Sequence, residues 1–183
     1  MGGDFAPLEI VLGSIQAVRE FKIPVVLVGD KEQILTILKN NHEENNPLIE
    51  IHHASEVIEM GEHPGLAYRK KKDASVSVGA RLVRAKECGA LVAPGSTGAA
   101  VTAGLLGIGR IKGIERPAIL TPIPNEKGRY TYLIDSGASA QPKVETYVQN
   151  AILGYIYASK VAGIKNPRIG LLNIGEEDPK GSP

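Results

Sequence analysis

Apolar residues in this chain follow two alternating patterns, one typical of helices and one typical of buried strands. After Pro7, apolar residues recur every three or four positions as far as Phe21, which predicts an amphipathic helix. The run 24–28 is almost continuously apolar and is closed by Gly29 and Asp30, which predicts a short buried strand. The two patterns then repeat along the chain.

This repetition predicts an α/β fold. Further helices are predicted around 34–38, from about 64, and over 75–87, 98–109 and 144–161. Further strands are predicted over 48–52, 90–93, 118–121, 132–134 and 168–173. Apolar strands that alternate with helices are typical of a doubly wound, mostly parallel sheet with helices on both faces. We therefore expect residues 1–183 to form a single α/β domain whose ligands bind beyond the carboxyl ends of the strands.

Composition and charge exclude several classes of protein. The net charge is +1 and aromatic residues make up 4%, so neither a basic field nor a base-stacking surface for nucleic acid is indicated. Cys88 is the single cysteine, which rules out a disulfide within the chain and fits a reducing compartment. No signal peptide is visible. The uncharged window 88–109 is interrupted by Pro94 and Gly95, so a strand, a turn and a buried helix explain it better than a membrane span.

The strongest chemical signal is the segment Gly95-Ser96-Thr97-Gly98, which lies between a predicted strand and a predicted helix. The first N–H groups of a helix attract anions, and glycines let a ligand approach the backbone. Ser and Thr are also ordinary helix N-caps, so a purely structural cap is an open alternative. A nucleotide-dependent enzyme is disfavoured, because the chain has no Gly-Lys dipeptide and Gly107-x-Gly109 lacks the third glycine of a dinucleotide motif.

Other polar segments carry weaker signals. Arg110 and Lys112 follow the predicted helix 98–109, where they could neutralise a phosphate or satisfy the last helix carbonyls. The basic run 69–72 is either a solvated face or a docking surface for an acidic carrier protein or an anionic membrane. His52 and His53 point to opposite faces of a strand, so we expect no metal site there.

Read in order, several segments resemble one family of enzymes. These segments are 1–4, 53–60, 69–73, 95–99, 109–118 and 170–177. They are similar, over nearly the whole chain, to the bacterial acyl-carrier-protein:phosphate acyltransferase (PlsX) family. The resemblance implies transfer of a fatty-acyl group from acyl carrier protein to inorganic phosphate in phospholipid biosynthesis. It also implies a cytoplasmic homodimer with loose, peripheral membrane contact, and a fold related to phosphate acetyltransferases and isocitrate dehydrogenases.

The chain departs from this family in several places. The family normally has a strand before the Gly-Gly-Asp segment and a long part beyond Gly181, so we expect a truncated, N-terminal part of a longer enzyme. Ser96 stands where Asn is common, and 135–141 match the usual Asp-x-Gly-Ala-Asn stretch only in part. An acetyl-CoA:phosphate acyltransferase-like enzyme and a non-catalytic module that binds the carrier protein therefore remain alternatives.

The implied reaction needs positioning and charge balance more than a general base, because phosphate is already partly dianionic near neutral pH. We predict that Thr97 contacts the phosphate or the developing oxyanion, while Arg110 and Lys112 balance its charge. These three are the predicted catalytic residues. The predicted substrate-binding residues are Asp4, His53, Gly95, Ser96, Gly98, Asn173, Glu176 and Lys180. No cofactor and no metal ion are predicted.

Overall fold

The computed structural model describes residues 1–139, 142–173, 175 and 177 of the chain. The chain divides into two units, residues 1–113 and residues 114–183, and each has its own helices and strands. The single α/β domain expected over residues 1–183 stays a prediction.

The first unit begins with a parallel α/β arrangement, as the apolar pattern predicts. Its elements are α1 (Leu8–Phe21), β1 (Val25–Gly29), α2 (Lys31–Asn40) and β2 (Ile49–His53). The two strands pair in parallel, with Val25 opposite Ile49 and Gly29 opposite His53. Large aliphatic side chains from α1, β1 and α2 form one core, which contains Val11, Ile15, Leu27, Ile34 and Leu38. The helices and strands predicted between residues 8 and 53 are confirmed.

The rest of the first unit is helical. It contains α3 (Pro64–Lys70), α4 (Ser75–Arg84) and α5 (Thr97–Thr102), and α5 continues into a π-helical stretch at Ala103–Ile108. The core here is made of small residues around Tyr68, among them Ala80 and Ala103. A Cβ atom at Gly107 would collide with Tyr68 and Ala80. The small residues of 97–108 therefore allow close packing against the helices α3 and α4.

The strand predicted over 90–93 is wrong. These residues have no ladder partner in the described part of the chain, although their apolar run is typical of a buried strand. Leu91 instead packs against the small-residue core, where its Cδ1 atom lies over Gly79. Leu91 is only partly buried and Val92 is 86% exposed, so an apolar run of this length does not by itself establish a buried strand.

The second unit contains a hairpin and a long helix. The strands β3 (Leu120–Pro124) and β4 (Tyr130–Ile134) pair antiparallel, and α6 (Val144–Lys160) follows. The rings of Tyr132 on β4 and Tyr157 on α6 lie 5.5 Å apart between centroids. Strands predicted over 118–121 and 132–134 are confirmed in approximate position, but they form a separate antiparallel sheet. No strand forms over 168–173, so that prediction is wrong.

The α/β class is confirmed. Among the described residues, the first unit has one small parallel sheet and five α-helices, and the second has one antiparallel hairpin and one helix. None of the helices in the described ranges is both long and apolar enough to cross a membrane.

Candidate phosphate-binding site

The segment 95–98 forms the start of a helix, and Ser96 is its N-cap. The Ser96 Oγ atom accepts a hydrogen bond from the Ala99 N–H at 3.3 Å, and the Ser96 carbonyl accepts one from the Ala100 N–H at 3.0 Å. The N–H groups of Thr97 and Gly98 have no partner among the described residues. They therefore remain available, together with the exposed Thr97 hydroxyl, to bind an anion. The cap and the anion site are compatible with each other.

Both glycines of this segment are required by close packing of the chain. A Cβ atom at Gly95 would collide with the carbonyl group of Gly2, and one at Gly98 would collide with the ring of Pro64. The glycines thus bring the N-terminal residues and the start of α3 against the loop. Packing alone explains why glycine stands at these two positions. The chemical evidence for an anion site is therefore the backbone N–H groups of Thr97 and Gly98 and the hydroxyl of Thr97.

The structure brings the segment that carries Asp4 to this loop. A Cβ atom at Gly3 would lie 2.9 Å from the Pro94 carbonyl oxygen, so residues 1–3 run alongside 94–95. Asp4 follows directly and is exposed, as is Thr97. The predicted substrate-binding residue Asp4 therefore directly follows Gly3, which packs against this loop.

Arg110 and Lys112 lie at the opposite end of the helical segment. The segment contains six α-helical residues, the first of which is Thr97, and six π-helical residues, and the exposed loop that holds the two cations follows it. At about 1.5 Å of rise per residue, the two ends of such a segment are roughly 15 Å apart. The two predicted cations therefore follow the end of this segment that is far from Thr97.

His53 belongs to a different polar cluster, at the end of β2. Its Nδ1 atom accepts a hydrogen bond from the Lys31 N–H at 3.3 Å, at the start of α2. Nearby, the carboxylate of Asp73 accepts hydrogen bonds from the backbone N–H and the hydroxyl of Ser55, at 2.7 and 2.6 Å. These bonds hold the pKa of Asp73 below its usual range.

Sequence reasoning did not anticipate the Ser55–Asp73 contact. The two residues are 18 positions apart, and no periodic pattern links them. The available signal was weak: a carboxylate that follows a basic run, and a hydroxyl that follows a strand. Only the fold brings the two together.

The other predicted site residues lie in the second unit or outside the described residues. Asn173 is exposed and lies in residues 114–183. Glu176 and Lys180 are outside the described ranges. We therefore assign no geometry to these three residues relative to Thr97.

Asp135, in the second unit, is saturated by the backbone around it. Its carboxylate accepts hydrogen bonds from the N–H groups of Ile119, Gly137, Ala138 and Ser139, at 2.9 to 3.2 Å. Burial opposes the charged form, but these four donors outweigh it and hold the pKa of Asp135 below its usual range. This carboxylate therefore organises the turn that follows β4.

A cavity of about 830 Å³ lies in the first unit beside the candidate site. Its walls come from α1, β1, α4 and the segment 87–96, and most of its lining residues are apolar. Met1 and Gly2 also line it, together with Gly95 and Ser96. The sequence patterns did not predict this cavity, because it lies beside the segment that was expected to be a strand.

Comparison with known proteins adds independent information. A family model described as "Fatty acid synthesis protein" matches residues 1–183. The chain is 50% identical over 182 residues to a protein named phosphate acyltransferase from Pelotomaculum thermopropionicum, covering 100% of the chain and 52% of that protein. Proteins with the same name from Desulfitobacterium hafniense and Aquifex aeolicus are 50% and 48% identical, and the chain covers 53% of each. The chain thus spans about half the length of these curated relatives.

Proposed function

The chain belongs to the fatty acid synthesis protein family, and we propose that it is the N-terminal part of a phosphate acyltransferase. The proposed reaction transfers a fatty-acyl group from the thioester of an acyl carrier protein to inorganic phosphate, and it yields an acyl phosphate for phospholipid synthesis. The name shared by these relatives supports the phosphate acceptor. The carrier protein as donor goes beyond that name and is part of the proposal.

One observation in the structure supports the proposal: the N-terminus of α5 is capped by a neutral hydroxyl, and its first two backbone N–H groups have no partner among the described residues. Because Ser96 caps with a hydroxyl, the cap adds no negative charge to the positive end of the helix. The Thr97 and Gly98 amides can then donate to phosphate oxygens while the Thr97 hydroxyl supplies a further contact. This arrangement favours a small, oxygen-rich anion.

The proposed chemical step needs no covalent intermediate on the enzyme. A phosphate oxygen attacks the carbonyl carbon of the thioester, so that a carbon–oxygen bond forms as the carbon–sulfur bond breaks. The carrier leaves as its thiolate and takes up a proton from solvent. The work of the protein is to hold a dianion against an electrophilic carbonyl and to stabilise the oxyanion that develops there.

The negative charge of the bound phosphate needs cations to balance it. We propose that Arg110 and Lys112 reach the phosphate from the loop 109–113, and that Lys180 assists them. Because the helical segment separates this loop from Thr97, the proposal requires the loop to approach the site in the substrate complex. We further propose that Asp4, His53, Asn173 and Glu176 contact the substrates.

The whole enzyme is proposed to be a cytoplasmic homodimer that contacts the inner face of the membrane only at its periphery. Its sheet is proposed to be doubly wound and mostly parallel, related to the folds of phosphate acetyltransferases and isocitrate dehydrogenases. The parallel pairing of β1 with β2 supports this fold, since parallel strands joined by a helix are its repeating unit.

The test compares two single variants in the enzyme at the full length of its relatives. Thr97→Ala is expected to lower kcat/KM for phosphate by ~10 to 100-fold, the range for loss of one hydrogen bond to a charged group. Lys112→Ala is expected to lower it by a similar factor if the cation reaches the phosphate. Lys39→Ala, in the last turn of α2, is the matched control and is expected to leave the rate unchanged. Unchanged acyl-phosphate formation in both test variants would remove these residues from the mechanism.

A further inference from the structure

Lys71 differs from the other three residues of the basic run 69–72. Those three are exposed, whereas the side chain of Lys71 is only 28% exposed. Its Nζ atom donates hydrogen bonds to two acceptors, the Val57 carbonyl at 2.7 Å and Glu62 Oε2 at 2.6 Å. Because its ammonium group is engaged by the protein itself, Lys71 belongs to the fold and not to a solvated or docking face.

The backbone of Lys71 is fixed between two helices. Its N–H donates to the Ala67 carbonyl of α3 at 2.8 Å, and its carbonyl accepts a hydrogen bond from the Ser77 hydroxyl of α4 at 3.1 Å. Both Ala67 and Ser77 are buried. The side chain of Lys71 therefore extends from a fixed point, and its two contacts determine where the segment 57–62 lies.

Glu62 closes a turn at the end of this segment. Its Oε2 atom accepts a hydrogen bond from the Glu59 N–H at 2.8 Å, and its own N–H donates to the Glu59 carbonyl at 3.2 Å. The hydrogen bond from Lys71, and after it the one from the Glu59 N–H, hold the pKa of Glu62 below its usual range. The turn and the ion pair thus share one carboxylate, so Lys71 holds the segment at both of its ends, Val57 and Glu62.

The segment 57–64 packs against the candidate phosphate-binding site. Pro64, which begins α3, lies against Gly98, where a Cβ atom would collide with the proline ring. Ile58 is buried in the same small-residue core as Ala99. Since the Gly98 N–H is one of the two donors assigned to the anion, a shift of this segment would also shift a donor of the site.

We propose that Lys71 is a positioning residue for phosphate binding, which holds the segment 57–64 so that the Pro64 ring keeps Gly98 and its N–H in place. The inference rests on the proposed function, because the anion is the phosphate acceptor of that reaction. A partly exposed ion pair contributes little to the stability of a fold, whereas a small displacement of a binding group is costly for catalysis. Loss of the Lys71 contacts should therefore weaken phosphate binding more than it weakens folding.

The test removes the ammonium group of Lys71 in the enzyme at the full length of its relatives. Lys71→Met keeps an unbranched apolar stem and is expected to raise KM for phosphate, and Kd for inorganic phosphate in calorimetry, by about 5- to 10-fold. KM for the acyl carrier thioester should stay within about twofold, and Tm should fall by less than about 4 °C. Lys70→Met, the matched control next in the run, should leave KM and Kd for phosphate unchanged.

A variant of the partner separates positioning from direct contact with the phosphate. Glu62→Gln removes the charge that Lys71 binds and should also raise Kd for phosphate, because the segment is held less firmly. The double variant Lys71→Met/Glu62→Gln should bind phosphate no more weakly than Lys71→Met alone, since both changes remove the same interaction. If Lys71 contacted the phosphate itself, Glu62→Gln would release its ammonium group and strengthen phosphate binding instead.

Three outcomes would overturn the inference alone. The first is an unchanged KM and Kd for phosphate in Lys71→Met, whatever its Tm, which would make the ion pair purely structural. The second is stronger phosphate binding in Glu62→Gln. The third is a rise in KM for the carrier thioester without a rise in KM for phosphate, which would return Lys71 to a docking role.

Failure of the proposed function gives a different result. An unchanged enzyme that binds phosphate but forms no acyl phosphate would overturn the reaction, and the Kd values of the variants would still decide the role of Lys71. An unchanged enzyme that binds no phosphate would overturn the inference and the proposed function together.

Discussion

The N-termini of α2 and α5, both in the first unit, have the same local arrangement but differ in what they can bind. At the start of α2, Gly29 precedes the cap Asp30, and at the start of α5, Gly95 precedes the cap Ser96. Asp30 Oδ1 accepts from the Gln33 N–H at 2.9 Å, and Ser96 Oγ accepts from the Ala99 N–H at 3.3 Å. Each cap therefore satisfies the third N–H of its helix in the same way.

The difference lies in charge and in the remaining donors. At α2 the cap is a carboxylate, and the Lys31 N–H is already bonded to His53 Nδ1. At α5 the cap is neutral, and the Thr97 and Gly98 amides have no partner in the described residues. An anion would be repelled at the first start and attracted at the second. The charge of the cap thus decides whether a helix start serves only the fold or can also bind a phosphate.

The largest effect on activity is expected from a variant that gives the N-terminus of α5 an acidic cap like that of α2. Ser96→Asp keeps a good helix cap but places a carboxylate beside the proposed phosphate. At about 4 Å and an effective dielectric constant near 20, the repulsion is about 4 kcal/mol, equivalent to a ~10³-fold loss of kcat/KM for phosphate. The measurement is acyl-phosphate formation in the enzyme at the full length of its relatives, with Tm as the check on folding.

The converse variant is the control for that prediction. Asp30→Ser exchanges one good cap for another at α2, so the activity is expected to stay within about twofold and Tm within a few degrees. If Ser96→Asp were to bind phosphate as well as the unchanged enzyme does, the open amides of α5 would not be the phosphate site, and the comparison would describe two structural caps.

The next effect concerns the glycine before each cap. Gly95→Ala directs a methyl group into the backbone carbonyl of Gly2, which can move only with the chain, whereas Gly29→Ala meets the flexible side chain of Met1. We expect Gly95→Ala to lower the free energy of unfolding by about 3 kcal/mol and Gly29→Ala by less than about 1 kcal/mol. Urea denaturation of the 183-residue chain measures both. Equal losses would show that the Gly2 contact does not constrain the loop.

The same contrast shows how far sequence reasoning reaches. The apolar repeat at 34–38 predicted the helix α2, and Gly95-Ser96 predicted the start of α5, because these signals are local. The apolar run 90–93 was misleading, since a short apolar run is typical of a buried strand, whereas here Leu91 packs against Gly79 and Val92 is exposed. The contact of Asp73 with Ser55, and the distance between Thr97 and Arg110, depend on how distant segments pack. No local pattern encodes them.

A smaller effect tests the donor that His53 satisfies at α2. His53→Ala removes the acceptor for the Lys31 N–H and is expected to cost about 0.5–1 kcal/mol of unfolding free energy. His53→Asn offers an amide oxygen near the position of Nδ1 and should restore most of that loss. Chemical denaturation of the three chains at neutral pH gives the comparison. If the His53→Ala chain had the same free energy of unfolding as the unchanged chain, the start of α2 would not depend on this bond. The His53 side chain would then be available for the substrate contact proposed above.

The smallest expected effect is a change in the pH dependence of stability, caused by the carboxylate of Asp73. The hydrogen bonds from Ser55 depress the pKa of Asp73 in the folded chain below that of a free aspartate side chain. A depressed folded pKa means that the stabilisation is fully present above about pH 4 and is lost as the pH falls through the folded pKa. Asp73→Asn should therefore flatten the decline of stability below about pH 4 in urea denaturation across that range. Ser96→Ala, where no carboxylate is involved, should leave the shape of the profile unchanged. An equally steep acid decline in Asp73→Asn would place the acid sensitivity elsewhere and leave the two helix starts distinguished by their donors alone.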